Sequence, residues 1–321
     1  MKKRRLLLAL FVEFSFIHSS WVQAGELEVV RVGGGPLKIG GILQCWYYNT
    51  QDEARVQSTF ELKRARILFW GEIVQDKIKY FVQTEGVGSP FMLDVKLQFY
   101  VIPNTEIAFG RFLPNFTQYM PRSTAQLDMI NYPLVVLRYA MWRQVGIQTT
   151  TKTKWADFNL GLFNGPRNNW TDNNEAKDFF ARVSLKPVNF IQMGVYRWQG
   201  KSLEEDSEVD MSRTGVFASM THEKGVFNGE YILGKDAGLE SWGYYAHLGF
   251  NIVPKVELLA RYETFDPNVD MEEDRETWIT GGINYFIQGN RAKISLNYVL
   301  KQEEANSVDN NEFIVQTQIF F

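Results

Sequence analysis

The sequence is poor in cysteine and histidine, and its main part has no long apolar segment. Cys45 is the only cysteine in 321 residues, which excludes an internal disulfide framework and any metal site built from several cysteines. Beyond residue 24 the chain contains two histidines, His222 and His247, and no apolar run of 18 residues. Because a membrane-spanning helix needs about 20 apolar residues, a polytopic helical membrane protein is not expected.

The N-terminus has the pattern of a secretory signal. Four basic residues at positions 2–5 precede an apolar run over residues 6–17, and Val22 and Ala24 stand where signal peptidase reads small residues. We predict a signal peptide over residues 1–24 and a short periplasmic segment over residues 25–36. Removal of the signal takes away four basic residues and one acid, which leaves 30 Lys plus Arg, 36 Asp plus Glu and a formal charge of −6. A nucleic-acid partner is not expected from that balance.

The remaining chain shows one recurring pattern, an alternation of apolar and polar residues with period two over about ten residues. At the C-terminus Phe313, Val315 and Ile319 fall on one face, whereas Gln316 and Gln318 fall on the other. This alternation is typical of membrane-spanning β-strands. It predicts strands at residues 37–49, 58–72, 76–86, 91–102, 105–112, 143–153, 154–163, 177–186, 189–198, 213–222, 225–234, 241–252, 256–265, 276–287, 290–301 and 311–321.

The sixteen predicted strands form an even number, and short turns between them alternate with longer polar connections. Outer-membrane barrels follow this rule, with short turns on the periplasmic side. We therefore predict an all-β protein, a transmembrane antiparallel β-barrel of about 16 strands over residues 37–321. A soluble β-sandwich is the alternative, but its strands are nearer six residues long. We expect the aromatic residues near strand ends to form two girdles at the membrane surfaces: Trp46, Tyr47, Trp70, Tyr100, Trp198, Trp242, Tyr262, Phe286, Tyr298 and Phe321.

Seven stretches in order along the mature chain resemble the phosphate-selective porin O and P family. They are residues 34–41 (GGPLKIGG), 60–67 (FELKRARI), 109–114 (FGRFLP), 161–165 (GLFNG), 261–266 (RYETFD), 282–286 (GINYF) and 316–321 (QTQIFF). The resemblance implies a bacterial outer-membrane location, a sixteen-stranded channel that is usually a homotrimer, and anions such as phosphate as solutes. Outer-membrane lipid and lipopolysaccharide would surround such a barrel.

The connection over residues 113–142 is the longest in the chain. A loop of this length usually has a function, and we predict that it folds inward as a constriction, with a loop lying across the top of the barrel as the alternative. Its charged residues are Arg122, Asp128 and Arg138, and its candidate apolar contacts to the wall are Tyr119, Met120 and Tyr132.

Period-two phasing turns several basic residues toward the predicted lumen, where Arg and Lys suit oxyanions. The predicted pore-lining residues are Arg64, Arg66, Lys79, Lys96, Arg182, Lys186, Arg291 and Lys293. Seven acidic residues phase inward as well, so the basic groups could instead form cross-strand pairs: Asp94, Asp157, Asp178, Glu230, Glu257, Glu263 and Glu276. Acidic clusters in the outer loops, such as residues 204–206 and 272–274, would favour cations at low salt.

The sequence carries no motif of an enzyme. His247 lies in the middle of a predicted strand and His222 in a predicted turn, without an evident nucleophile beside either. We expect no catalytic residues, no metal site and no cofactor. The predicted function is an outer-membrane porin, a passive diffusion channel for small hydrophilic solutes, in particular small inorganic or organic anions such as phosphate. The alternatives are a general or cation-preferring pore and an adhesin-like or structural surface barrel.

Overall fold

The computed structural model of the protein describes residues 31–32, 35–52, 54–165, 170–204, 207–304 and 309–321. The predicted signal peptide lies outside these residues. At the N-terminal end of the described chain, Arg31–Val32 pairs with Gly35–Pro36 in a short antiparallel hairpin. No helix within the described ranges has the length and apolar character needed to cross a bilayer.

Sixteen antiparallel strands close into one barrel, as predicted. In chain order they are β1 (Lys38–Thr50), β2 (Ser58–Val74), β3 (Ile78–Glu85), β4 (Met92–Ile102), β5 (Thr105–Phe112), β6 (Gln144–Lys152), β7 (Ala156–Phe163), β8 (Asp178–Val188), β9 (Ile191–Glu204), β10 (Ser207–His222), β11 (Gly225–Asp236), β12 (Leu239–Val253), β13 (Val256–Asp266), β14 (Glu276–Gln288), β15 (Ala292–Glu303) and β16 (Glu312–Phe320). Each strand pairs with its neighbours in sequence, and β16 pairs with β1. The chain end completes that seam, because Gly41 N donates to Phe321 O at 2.9 Å.

The strand positions agree with the prediction except where strands continue past it. Residues 199–212 were expected to be a loop, but β9 runs to Glu204 and β10 begins at Ser207, with Gly200 paired to Met211. The hairpin between β11 and β12 turns tightly, since Ala237 (φ 50°) and Gly238 (φ 90°) form a two-residue connection. The sequence pattern fails at these hairpin ends because both strand faces are polar there, so the backbone pairing continues without alternation.

The barrel is apolar outside and polar inside. On β12, Leu248 and Phe250 are 59% and 55% exposed, whereas His247 between Ala246 and Leu248 is fully buried. Asn297 and Gln316 are likewise buried on the inner face of β15 and β16. A soluble sandwich would show the reverse arrangement. The exposed apolar belt is therefore a lipid-facing surface of the kind that membrane barrels carry.

The expected aromatic girdles are correct for only part of the set. Tyr47, Tyr262 and Tyr298 lie on the outward phase of their strands, and so does Trp242. Phe321 follows the end of β16 and is exposed. The other five lie on the inward phase of their strands: Trp46, Trp70, Tyr100, Trp198 and Phe286. Position near a strand end does not reveal the face, since a girdle residue and a lumen residue differ by one step along the strand.

Candidate functional site

The long connection between β5 and β6 supplies half of the buried residues in the main apolar cluster of the described chain. It contains a short 3-10 turn, Thr124–Gln126, and one helix, α1 (Leu134–Tyr139). Phe116 is fully buried, and its ring lies 4.8 Å from that of Tyr196 and 5.4 Å from that of Trp198. The two wall residues come from the inner face of β9. The apolar core therefore lies inside the barrel, between this connection and the wall.

The wall also binds the backbone of the connection. Arg182 on β8 donates to Thr117 O at 2.7 Å, and Lys293 on β15 donates to Leu127 O at 2.7 Å. In the opposite sense, carboxylates of the wall accept from the connection: Glu230 from Gln118 N at 2.8 Å and Glu263 from Leu134 N at 2.6 Å. An irregular segment has unpaired backbone groups, and buried ones must be satisfied. The inward side chains of distant strands satisfy them here.

These contacts give two of the predicted pore-lining residues a different position from the one expected. Arg182 and Lys293 do face inward, but they are 7% and 3% exposed because the connection covers them. Arg291, also predicted to line the pore, lies in the turn before β15, and its side chain is exposed. Period-two phasing identifies the face of a strand but not the segment that is packed on that face.

The charged residues of the connection are held in ion pairs. Arg122 lies 3.2 Å from Asp128 within the connection, and Tyr119 donates to the same carboxylate at 2.7 Å. Arg138 of α1 pairs with Glu276 at the start of β14. The three predicted apolar contacts, Tyr119, Met120 and Tyr132, are all buried.

The part of the lumen beside β2–β5 is open. It forms a cavity of about 680 Å³ between this wall and the connection. The basic residues that line it are Lys63, Arg64, Arg66, Lys96, Arg122 and Arg143. Asp94 is the single acidic residue among the described residues of the lining. The charged residues that line this space are therefore mainly basic.

Most of these basic residues have an acidic partner. Arg66 lies 2.7 Å from Glu85, and Arg143 lies 2.9 Å from Asp94. Arg64 differs, because it has no carboxylate within 4 Å among the described residues and donates to the neutral amide of Gln44. Lys63 pairs with Glu61 at 3.1 Å, and Lys96 pairs with Glu106 at 3.6 Å. Two predicted pore-lining residues outside this lining are paired as well, Lys79 with Glu72 at 3.0 Å and Lys186 with Asp157 at 2.7 Å.

Lys63 and Arg143 were not predicted as pore residues. A β-bulge places Arg64 opposite Gln44 and Leu62 opposite Cys45, so that Lys63 is an extra residue in β2. Its ammonium lies 4.4 Å from the ring centre of Trp46, on the inner side. The bulge interrupts the phasing and leaves no signal in the sequence. Arg143 lies one residue beyond the predicted end of the connection.

A second cavity continues the first. It measures about 860 Å³ and extends to the N-terminal hairpin at Gly35 and Pro36. Four residues line both cavities: Leu68, Phe81, Gln98 and Phe320. Lys38, Lys79 and Glu72 lie around the second cavity. The two spaces form one passage along the inner face of β1–β4.

Residues 185–320 match the family model for phosphate-selective porin O and P. This match confirms the resemblance over β9–β16 and the end of β8. No curated protein matches the sequence.

Solved porin structures share the fold at low sequence identity. The chain is similar to an anion-selective porin from Comamonas acidovorans at 14% identity and a TM-score of 0.71, over 90% of this chain and 100% of the other. It is also similar to OmpT, an outer membrane protein of Vibrio cholerae in a trimer form, at 12% identity and a TM-score of 0.69, with 90% and 100% covered. The outer membrane channel DcaP of Acinetobacter baumannii gives 10% identity and a TM-score of 0.67, with 90% and 98% covered. The fold and the family match together support the porin function predicted from the sequence.

Proposed function

We propose that the protein is a bacterial outer-membrane porin through which small hydrophilic solutes diffuse passively, with anions preferred. The observation that carries this proposal is the lining of the 680 Å³ cavity, where six basic residues and one acid face the same space. In a confined space with low-dielectric walls, such a lining raises the local concentration of anions. Arg64 contributes most directly, because among the described residues no carboxylate lies within 4 Å of it.

The surroundings of the passage support the same function. The connection over residues 113–142 would act as the constriction, because its buried contacts fill the side of the lumen opposite Arg64 and Arg66. Export through a signal peptide over residues 1–24, contact of the apolar belt with lipid and lipopolysaccharide, and assembly as a homotrimer belong to the proposal. Of the similar structures, one is an anion-selective porin and another is in a trimer form.

The interior of the barrel suits a channel and not an enzyme. His247 is fully buried beside Asp128, at 3.8 Å, and Arg122 and Asn228 surround the same carboxylate. No open pocket brings a nucleophile to this histidine among the described residues. We assign no catalytic residue.

Planar-bilayer recording under a salt gradient tests the proposal. The purified barrel should give stable channels whose reversal potential in KCl shows chloride to be more permeant than potassium, and added phosphate should reduce the chloride current. A potassium-selective channel would indicate the general or cation-preferring pore. Protein that inserts into the bilayer but never conducts would indicate an adhesin-like or structural barrel.

A further inference from the structure

The wall of the passage carries aromatic residues between its cations. Lys38, Trp70, Phe81 and Lys96 are direct cross-strand neighbours on β1–β4 and form one inward row. Directly opposite side chains in an antiparallel sheet have their Cβ atoms about 4.5–5.5 Å apart. The next residue of the row, Gly110 (φ 130°), has no side chain, and a Cβ there would lie 2.1 Å from Val95 O. The row therefore presents two aromatic rings flanked by two ammonium groups.

Both cations of the row can bind a solute. Lys38 is exposed and has no carboxylate within 4 Å among the residues that the structure describes. Lys96 is 3.6 Å from Glu106, and its ammonium has three donors, so one long contact leaves donors for another acceptor. Arg66 lies four residues before Trp70 on the same strand, toward the basic cavity.

The apolar lining extends to both sides of the row. Phe320 and Leu68 border both cavities, and Trp142 and Leu137 of the connection line the same cavity as Phe81 and Lys96. The ring of Trp142 lies 5.4 Å from that of Tyr132, which fixes this second wall. A hydrated inorganic ion gains nothing from such surfaces, because apolar groups cannot replace its hydration shell. An anion with a flat apolar body gains from both kinds of lining.

We propose that the passage contains a binding site for aromatic carboxylates, with the ring on Phe81 and Trp70 and the carboxylate on Lys96. This inference rests on the proposed channel function and names a solute class for it. The aromatic pair supplies a face on which the ring of the solute packs edge-on or offset. The neighbouring ammonium donates hydrogen bonds to the carboxylate and offsets its negative charge. The adjoining cavities of about 680 and 860 Å³ are large enough for a benzoate-sized solute.

Block of the chloride current tests the site. Potassium benzoate, acetate and neutral benzamide are each titrated into a bilayer that contains the wild-type channel, and the half-blocking concentrations are compared. We expect benzoate to act at about tenfold lower concentration than acetate, since aromatic packing of this kind changes affinity by roughly that factor. Benzamide should be the weaker ligand because it lacks the charge.

Three variants separate the ring contact from general effects. Phe81→Ala should remove the advantage of benzoate over acetate, and Phe81→Leu, which keeps an apolar side chain without a flat ring, should reduce it. Phe109→Ala removes a phenylalanine from the outer surface, where it is 55% exposed, and should preserve the advantage. Equal block by benzoate and acetate in the wild type would overturn the inference, and so would an unchanged ratio in Phe81→Ala.

Failure of the inference and failure of the proposed function give different results. The reversal potential in KCl alone reports anion preference, whereas the ratio of benzoate to acetate reports the aromatic site. Titration calorimetry of the detergent-solubilised barrel with the same ligands measures the ratio without conduction. A tight benzoate site in a barrel that does not prefer chloride would overturn the proposed selectivity and support the site. An anion-selective channel without the benzoate advantage would support the proposed selectivity and overturn the aromatic site.

Discussion

Arg64 Nη1 donates a hydrogen bond to Gln44 Oε1 at 2.7 Å between β2 and β1. The same glutamine donates to Gln318 Oε1 at 2.7 Å and to Thr124 O at 3.2 Å, so it joins the wall to the 3-10 turn of the connection. A neutral amide orients the guanidinium without neutralising it. Arg64 therefore carries its charge into the lumen at the point where the wall and the connection meet.

Replacement of this one charge should change the selectivity of the channel. In Arg64→Gln the ratio of chloride to potassium permeability should fall by roughly sixfold, because a unit charge about 8 Å from an ion contributes about 0.5 kcal/mol in water, in favour of chloride and against potassium. In Arg64→Glu the fall should be larger. The reversal potential in a KCl gradient measures both effects, and they should shrink at 1 M salt, where the Debye length is about 3 Å.

Arg291→Gln is the matched control, because it removes the same charge from the exposed turn before β15. Its permeability ratio should equal that of the wild type. If Arg64→Gln and Arg291→Gln behave alike, Arg64 does not line the conducting path, and the selectivity must arise elsewhere.

The anchoring of the connection predicts a stability difference between two residues of one strand. Arg182→Met deprives the carbonyl groups of Asn115 and Thr117 of a buried donor, at a cost of about 1–3 kcal/mol for each acceptor left unpaired. Lys186→Met breaks a part-exposed pair with Asp157, which should cost less than about 1 kcal/mol. Urea unfolding in detergent, followed by tryptophan fluorescence, compares the two variants.

The single-channel record of Arg182→Met should also become noisier, since the connection loses a fixed contact inside the lumen. Equal stability of the two variants would mean that the guanidinium of Arg182 does not hold the connection.

The strands could be predicted because successive residues of a strand face the lipid and the barrel interior alternately. On β12 the residues from Tyr244 to Phe250 alternate between the outer surface and the interior of the barrel, and the polarity of the sequence alternates with them. The predicted strands ended at residue 198 and resumed at residue 213, short of Glu204 and Ser207, because the alternation ends where both faces of a hairpin carry polar residues.

The lumen could not be predicted in the same way. Arg182 binds Thr117, which lies 65 residues earlier in the chain, and no local pattern reports that contact. The bulge at Lys63 adds a cation to the passage, and it interrupts the period-two alternation from which the other pore-lining cations were predicted. Whether a cation is paired with a carboxylate depends on such partners. Arg64 and Arg66 have the same phase in the sequence, but in the structure Arg64 binds the neutral Gln44 whereas Arg66 pairs with Glu85.

The apolar contact between the connection and β9 should carry a large share of the stability of the barrel interior. Phe116→Ala leaves a cavity among Phe180, Tyr196 and Trp198 and should destabilise the protein by about 3–5 kcal/mol in the same urea assay. Phe109→Ala, on the outer face of the preceding strand, is the control and should cost much less. A similar loss in the two variants would show that the interior aromatic cluster is not packed as described.

The outward face of β1 provides a direct test of the lipid-facing surface. Cys45 lies on that face and is exposed, while its neighbours Gln44 and Trp46 are buried on the inner side. In proteoliposomes a charged thiol reagent should therefore react slowly with Cys45, because the reagent does not enter hydrocarbon, and it should react readily once urea unfolds the barrel. The control carries Cys45→Ala with Lys96→Cys, which places the single thiol in the passage, and the charged reagent should modify it quickly. Fast modification of wild-type Cys45 by the charged reagent would mean that water, not lipid, covers this face of the barrel.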